Sequence, residues 1–206
     1  MFISHKYRFI FIKTRKTAGS SIEKFLRDVH EDPLDYVHAG MPPENLKPVN
    51  LKKTKKKKIE HAGWKLISKI YPVEWKSYYK FTIERNSWDK VVSTYFWQKQ
   101  NGPWEINEFD DYVKTQNKLF NRNDWNLYTK NNQLVVDNVI QYDNLSQDFF
   151  GIAYKLKIPY NNELKTIRLK GNIRKNNDYR SMYNKETEEI VRQSFSAPIA
   201  YFNYQF

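Results

Sequence analysis

The chain has 206 residues and a formal net charge of +12, from 35 Lys and Arg against 23 Asp and Glu. Aromatic residues make up 17% of it, too large a share for a disordered polymer, and at roughly 150 residues per domain its length suits one folded domain. It has no Cys, which excludes disulfide scaffolds, thiolate metal sites and cysteine nucleophiles.

The amino-terminal residues resemble neither a secretory signal nor a membrane anchor. Behind Met1, no basic start is followed by an apolar block and a small-residue cleavage site. The longest aliphatic and aromatic run, Phe9–Ile12, is far short of the roughly 20 apolar residues that cross a bilayer. We therefore expect a cytoplasmic protein without a membrane span, and the composition, rich in Lys and Asn, is typical of a bacterial or viral source with an AT-rich genome.

The positive charge is concentrated in one segment. Residues 47–58 hold seven Lys and no acid, and without them the net charge falls to +5. A run of like charges interrupted by Pro48 and Asn50 is typical of a solvated segment, so we interpret residues 41–59 as a flexible basic loop. Two alternatives stay open: a flap that attracts an anionic substrate, and a surface that binds nucleic acid.

Strand and helix patterns alternate along the chain. Residues 87–100 form the strongest helix pattern, with Ser87 predicted as its cap and Asp89 in its first turn. Residues 31–58 contain several Pro and no sustained period, and predict a long loop. The other predicted elements are strands at 7–13, 79–85 and 138–142, and helices at 20–26, 61–71, 109–119, 149–156 (capped by Asp143 or Asn144) and 185–195.

This alternation is typical of α/β architecture. We predict a single domain over residues 1–206 with a mainly parallel central sheet flanked by helices. Such sheets bind ligands at the carboxyl ends of their strands, where a loop enters a helix amino terminus. Two such junctions carry residues suited to anions.

The first junction is a phosphate-binding loop that resembles a P-loop without its spacing. Gly19 allows close backbone approach, Lys16 adds a positive charge, and the amides and hydroxyls can donate to phosphate oxygens. The Walker motif requires its Lys directly after the second Gly, whereas here the Lys precedes the Gly by three residues. The candidate phosphate-binding residues are Lys16, Thr17, Ala18, Gly19, Ser20 and Ser21.

The second junction lies between the predicted strand 79–85 and the helix that follows it. Arg85 ends the strand and can form a two-pronged hydrogen-bonded pair with a phosphate. Ser93 lies eight residues further on, two helical turns along the same helix. Together they predict a second phosphate contact.

These two segments resemble the PAPS-dependent sulfotransferases, in particular the carbohydrate (Golgi-type) branch. Lys16–Ser21 is similar to the loop that binds the 5′-phosphosulfate of 3′-phosphoadenosine 5′-phosphosulfate (PAPS), and Arg85–Ser93 to the R-N-P-W-D-R-x-x-S segment that binds its 3′-phosphate. Residues 139–145 and 202–206 also resemble the family. The chain departs from the usual Pro, Arg and Thr at positions 87, 90 and 20, and Ile22 replaces the Trp of the cytosolic phenol and steroid enzymes.

The resemblance implies roles for further residues. His61 matches the family's general base, and a neutral imidazole can accept a proton from a sugar hydroxyl near neutral pH. Lys16 would stabilise the charge that develops on the leaving phosphate. Arg174 and Lys175 match a late basic segment that covers the 3′-phosphate. Glu60 and Glu84 could orient groups there or be ordinary ion-pair partners, and stay outside the predicted catalytic set.

The sequence therefore predicts a sulfotransferase that moves a sulfuryl group from PAPS to an acceptor hydroxyl, leaving 3′-phosphoadenosine 5′-phosphate (PAP). The expected acceptor is an oligosaccharide or small molecule, and no metal is expected. A nucleotide-dependent, kinase-like enzyme is one alternative, although it would need Mg²⁺ and a carboxylate to hold it. A noncatalytic module that binds polyanions or nucleic acid through the Lys-rich segment is a second, less favoured alternative.

Overall fold

The computed structural model describes residues 1–38, 60–102, 108–115, 124–160 and 178–206. The predicted basic loop 41–59 lies outside these residues. The chain divides into two compact units, the first comprising Met1–Glu84 and Asn126–Leu169 and the second Arg85–Trp125 and Lys170–Phe206. The assignment of residues 1–206 to one sulfotransferase domain stays a prediction.

The first unit contains a five-stranded sheet in the order β3-β1-β2-β4-β7. A separate two-stranded ladder joins β5 to β6, which are antiparallel. The strands are β1 (Phe2–Ser4), β2 (Phe9–Ile12), β3 (Tyr36–His38), β4 (Tyr79–Glu84), β5 (Thr129–Lys130), β6 (Gln133–Leu134) and β7 (Asn138–Gln141).

The five-stranded sheet is mixed. β2 pairs in parallel with β4, and β4 in parallel with β7, whereas β1 is antiparallel to both β2 and β3. The prediction of α/β architecture is confirmed, but a mainly parallel sheet is not, because two of the four described pairings are antiparallel. The cause is the short turn between β1 and β2, which reverses the chain so that β1 pairs with β2 in the antiparallel direction.

Nine helices lie in the described part of the chain, and none of its helices is both long and apolar enough to cross a membrane. They are α1 (Gly19–Asp28), α2 (Trp64–Ile70), α3 (Pro72–Ser77), α4 (Ser87–Asn101), α5 (Phe109–Thr115), α6 (Trp125–Tyr128), α7 (Leu145–Leu156), α8 (Lys185–Ser194) and α9 (Ser196–Phe202). Short 3₁₀ turns precede β3, α7 and α8.

The periodic sequence patterns predicted most of the longer helices and strands, and the elements that they did not predict are short. The predicted strands at 79–85 and 138–142 and the helices at 87–100 and 185–195 match described elements to within two residues at each end. The sequence did not predict β1 or β3, because three residues are too few to establish a period of two. β3 lies inside the predicted loop 31–58, which was therefore wrong for residues 36–38.

The predicted cap of α4 was one residue out of place. Asn86, not Ser87, is the N-cap, and its side chain accepts a hydrogen bond from the Trp88 backbone N–H at 3.1 Å. Ser87 is instead the first residue of the helix and is buried. Both residues have short polar side chains that suit a cap, so composition does not separate them.

The core of the first unit is built from aromatic rings on the sheet and its helices. Phe81 on β4 stacks on Phe11 of β2, with ring centroids 5.1 Å apart, and contacts Phe9 and Phe149 at 5.6 and 6.3 Å. All four side chains are fully buried. These contacts join β2 and β4 to α7 and keep the two parallel strands in register.

The second unit packs around Trp88 of α4. The Trp88 ring is fully buried, its Nε1–H donates to the Glu188 backbone oxygen at 3.1 Å, and its backbone oxygen accepts from the Tyr183 hydroxyl at 2.8 Å. Phe206 packs against the same ring, with centroids 5.5 Å apart. The carboxyl-terminal residues therefore form part of the core that holds α4.

Truncating the central ring of the sheet should be costly. We expect Phe81→Ala to lower the free energy of unfolding by about 3–5 kcal/mol, because it leaves a cavity among three rings. Tyr154→Ala on the surface of α7, where Tyr154 is 80% exposed, should change it by less than about 0.5 kcal/mol. Urea unfolding followed by circular dichroism measures both, and equal losses would contradict this packing.

The corrected cap can be tested by separating the two hydrogen bonds of Asn86. Its Oδ1 caps α4, whereas its Nδ2 donates to the Gln205 backbone oxygen at 2.9 Å. Asn86→Ala should lower the free energy of unfolding by about 1 kcal/mol. Asn86→Asp keeps the capping acceptor and loses only the donor, so it should cost less in the same urea experiment. Equal losses would assign the effect to the Gln205 contact.

Candidate functional site

The backbone of the predicted phosphate loop forms a concave turn before α1. Lys16 and Ala18 both have φ near 60°, in the left-handed region. Gly19 then begins α1, so a left-handed residue is followed by a right-handed one. Successive residues of opposite hand turn their N–H groups toward a common point, which is a backbone geometry that binds anions.

The amino terminus of α1 has features that favour an anion. Ala18 is its N-cap and makes no side-chain capping hydrogen bond, and the first turn contains no acidic residue. The positive end of the helix dipole is therefore not offset by a carboxylate of that turn. Ser20 is half-buried and Ser21 is buried, and both lie in this first turn. The six loop residues singled out from the sequence thus form one continuous structural feature.

Thr17 anchors the loop to the sheet. Its side chain is fully buried, and its hydroxyl lies 2.8 Å from the Thr14 hydroxyl. The Thr14 hydroxyl in turn donates to the backbone oxygen of Ile83 on β4. A contribution of Thr17 to phosphate binding would therefore come from its backbone amide, because its hydroxyl is used within the protein.

Position 19 requires Gly because another group lies very close to its Cα. The sequence suggested that this group is a phosphate, but in the structure the close neighbour is the Lys13 side chain. A Cβ added at Gly19 would lie 2.7 Å from Cγ of Lys13, which is closer than non-bonded carbon atoms approach. The Lys13 side chain, 8% exposed, passes over the start of α1. Any larger residue at position 19 would displace Lys13 or the loop.

A network of ion pairs surrounds Lys13, and sequence reasoning missed it. The Lys13 ammonium lies 2.7 Å from Oε2 of Glu23 on α1 and 3.0 Å from Oε1 of Glu60. The second oxygen of Glu23 lies 3.2 Å from Nδ1 of His38, the last residue of β3. Glu23 and Glu60 lie 10 and 47 residues from Lys13 in the chain, which gives no spacing signal in the sequence, so only the fold brings these four side chains together.

Glu23 stays ionised well below neutral pH. Burial alone would raise the pKa of its carboxyl group, but hydrogen bonds from His38 and Lys13, together with the Lys13 charge, outweigh burial and lower this pKa to about 2. Burial would likewise raise the pKa of Glu60, but the hydrogen bond from Lys13 and its charge outweigh burial and lower this pKa. Two carboxylates therefore balance the positive charge of Lys13 at neutral pH.

His61 is held in a defined tautomer. Its Nδ1 lies 2.8 Å from the backbone oxygen of Lys13. Because a carbonyl oxygen only accepts, Nδ1 carries the proton and donates it. In the neutral ring the lone pair is then on Nε2, which is the arrangement that a general base needs.

The second predicted phosphate contact lies in the second unit. Nε of Arg85 donates to Oδ2 of Asp89 at 2.6 Å, so a carboxylate in the first turn of α4 orients the guanidinium. Ser93 is half-buried on the same helix. Lys90, where the family usually has Arg, is buried and pairs with Asp124 at 3.0 Å. A positive charge at position 90 thus serves the interior of this unit.

The first unit also has a buried carboxylate at the carboxyl end of β4. Glu84 is 3% exposed, and its Oε2 accepts a hydrogen bond from the Tyr128 hydroxyl at 2.6 Å. Tyr128 belongs to the short helix α6, which the sequence did not predict. The sequence left open whether Glu84 is a structural partner, and this contact gives it one.

Arg174 and Lys175 lie outside the described residues, so their predicted role over the 3′-phosphate stays a prediction. Within the described ranges, no group of three or more His, Cys, Asp or Glu is placed to hold a metal ion. The loop Lys16–Ser21 has a left-handed residue followed by a helix start, which is a backbone geometry compatible with an anion.

The comparisons with known proteins leave the family open. No protein-family model matches the chain, and no solved structure matches it. A curated protein of Archaeoglobus fulgidus, described only as an uncharacterized protein, is 28% identical over 100 residues, which are 47% of this chain and 82% of that protein. Any functional conclusion therefore depends on the residues themselves.

The Glu23 carboxylate should make stability depend on acid pH. Its pKa falls from an ordinary 4.5 to about 2 on folding, so its contribution is complete above pH 4.5 and is lost as the pH falls toward 2. Glu23→Gln should remove a dependence worth at most about 3 kcal/mol, measured by urea unfolding at several pH values. Glu31→Gln, at an exposed residue beyond α1, should keep the wild-type profile. A wild-type profile in Glu23→Gln would contradict the network.

Proposed function

We propose that this protein is a PAPS-dependent sulfotransferase that acts on a hydroxyl of a carbohydrate or related small acceptor. The observation that carries the proposal is that both predicted anion-binding segments follow neighbouring parallel strands in the chain. Lys16–Ser21 come after β2, Arg85 comes directly after β4, and Ile12 pairs with Thr82 in the register between these strands. The carboxyl ends of β2 and β4 thus lie at one edge of the sheet, where α/β proteins bind nucleotides.

The local geometry of the loop supports its role at the 5′-phosphosulfate. The left-handed residues Lys16 and Ala18 and the uncapped start of α1 present backbone N–H groups to an anion. The Lys16 ammonium adds the charge that stabilises the leaving phosphate when the bond between sulfur and the bridging oxygen breaks. Ser20 and Ser21 add hydroxyl donors at the same turn.

Arg85 and Ser93 bind the 3′-phosphate in this proposal. Asp89 holds the guanidinium of Arg85 through Nε, and an oriented guanidinium loses less freedom when it binds a phosphate. In their segment the residues Arg85, Asn86, Trp88, Asp89 and Ser93 agree with the family pattern. Lys90, at the position of the usual Arg, keeps a positive charge there and forms a buried ion pair with Asp124.

His61 acts as the base. PAPS supplies the sulfuryl group, and the acceptor oxygen forms a bond to sulfur as the bridging bond breaks, leaving PAP. Nε2 of His61 takes the proton of the acceptor hydroxyl, because Nδ1 already donates to Lys13. A positioned base of this kind contributes about 10²–10⁴-fold to the rate.

The direct test is titration calorimetry with PAP, beside ATP with Mg²⁺ and AMP. We expect tight binding of PAP alone, indifferent to Mg²⁺, and a loss of about 2–5 kcal/mol of binding free energy in Arg85→Ala. Arg27→Ala is the matched control, because Arg27 is exposed in the last turn of α1, away from the loop. Preferred binding of ATP with Mg²⁺ would favour the kinase-like enzyme, and no nucleotide binding would overturn the proposal.

A further inference from the structure

Lys13 contacts two separate segments of the first unit, α1 and residues 60–61. It directly follows β2, its side chain is 8% exposed, and its ammonium bridges Glu23 on α1 and Glu60. The methylene stem of Lys13 lies against Gly19, which is in the predicted phosphate loop and begins α1. Its backbone oxygen accepts the hydrogen bond from Nδ1 of His61.

The two carboxylates differ in how firmly they are held. Glu23 is 13% exposed and also bound by His38, whereas Glu60 is 48% exposed and directly precedes His61 in the chain. The pair between Lys13 and Glu60 therefore ties the segment that carries His61 to the end of β2.

We propose that Lys13 is a positioning residue that fixes His61 in the Nδ1–H tautomer, with Nε2 as the proton acceptor, and this rests on the proposed function. The ion pair of Lys13 with Glu60 brings the Lys13 carbonyl and the His61 ring into hydrogen-bonding distance. An imidazole without a fixed partner samples both tautomers, and only one of them has its lone pair on Nε2. The same arrangement, a ring nitrogen fixed by a second group, orients catalytic histidines in general.

The charge balance explains why Lys13 itself is not a phosphate ligand in this arrangement. Its ammonium lies between two carboxylates, and the lowered pKa of Glu23 keeps that partner ionised through the neutral range. Lys16 carries the charge for the anion, and Lys13 connects the loop to His61. These two lysines, three residues apart, therefore have separate tasks.

The test measures the His61 tautomer by ¹⁵N nuclear magnetic resonance of the imidazole nitrogens at pH above 7. We expect the wild type to show protonated Nδ1 and unprotonated Nε2, and Lys13→Met and Glu60→Ala to show a severalfold lower ratio of that tautomer to the other. Lys13→Arg, which can still bridge the two carboxylates, should restore the ratio. Lys24→Met removes an exposed ion pair with Asp28 on α1 and should leave the His61 signals unchanged.

Stability and PAP binding separate the possible failures. Glu60→Ala removes only the half-exposed carboxylate partner of Lys13 and should fold even if Lys13→Met does not. The tautomer is therefore measurable in at least one variant. Lys13→Met keeps the stem against Gly19, so its affinity for PAP should stay within about threefold of the wild type. A wild-type tautomer ratio in folded Glu60→Ala or Lys13→Met would overturn the positioning role even if PAP binds. Absence of PAP binding with a shifted tautomer would overturn only the proposed enzyme.

Discussion

The parallel pairing of β2 with β4 is the constraint on which the candidate site depends. Stacked rings of Phe11 and Phe81 hold these strands in register, so both end at the same edge of the sheet. Thr14 reinforces that edge through its bond to the Ile83 backbone. The loop Lys16–Ser21, which follows β2, therefore lies at the edge of the sheet where backbone N–H groups and the amino terminus of α1 are available to the proposed anion.

Electrostatic compensation is local in each unit. In the first unit Glu23 and Glu60 pair with Lys13, and in the second unit Asp89 pairs with Arg85. The net charge of +12 consequently says little about the site, since much of it belongs to the segment 47–58. The affinity for an anion depends on the cations and hydrogen-bond donors next to it, because salt screens exposed charges at a distance more strongly than partly buried charges nearby.

Part of the site could be read from the sequence. The loop Lys16–Ser21 and the Arg85 segment are contiguous, and contiguous motifs keep their spacing in any fold that preserves the strand and helix around them. The partners of Lys13 could not be predicted in this way, because Glu23 lies on α1, whereas Glu60 and His61 come from a segment nearly fifty residues away from Lys13 in the chain. The role of the Thr17 hydroxyl could not be predicted either, since a hydroxyl can bind a phosphate or, as here, another side chain, that of Thr14.

The sequence by itself determined the α/β class and the longer helices and strands, and it located the two candidate anion-binding segments, because each follows from a local period or a short motif. The tertiary structure alone decided that the sheet is mixed and that Asn86 caps α4. It also decided that Lys13 contacts both Gly19 of the predicted phosphate loop and His61. These features depend on pairing between distant residues, and no local pattern encodes which strand or carboxylate meets which partner.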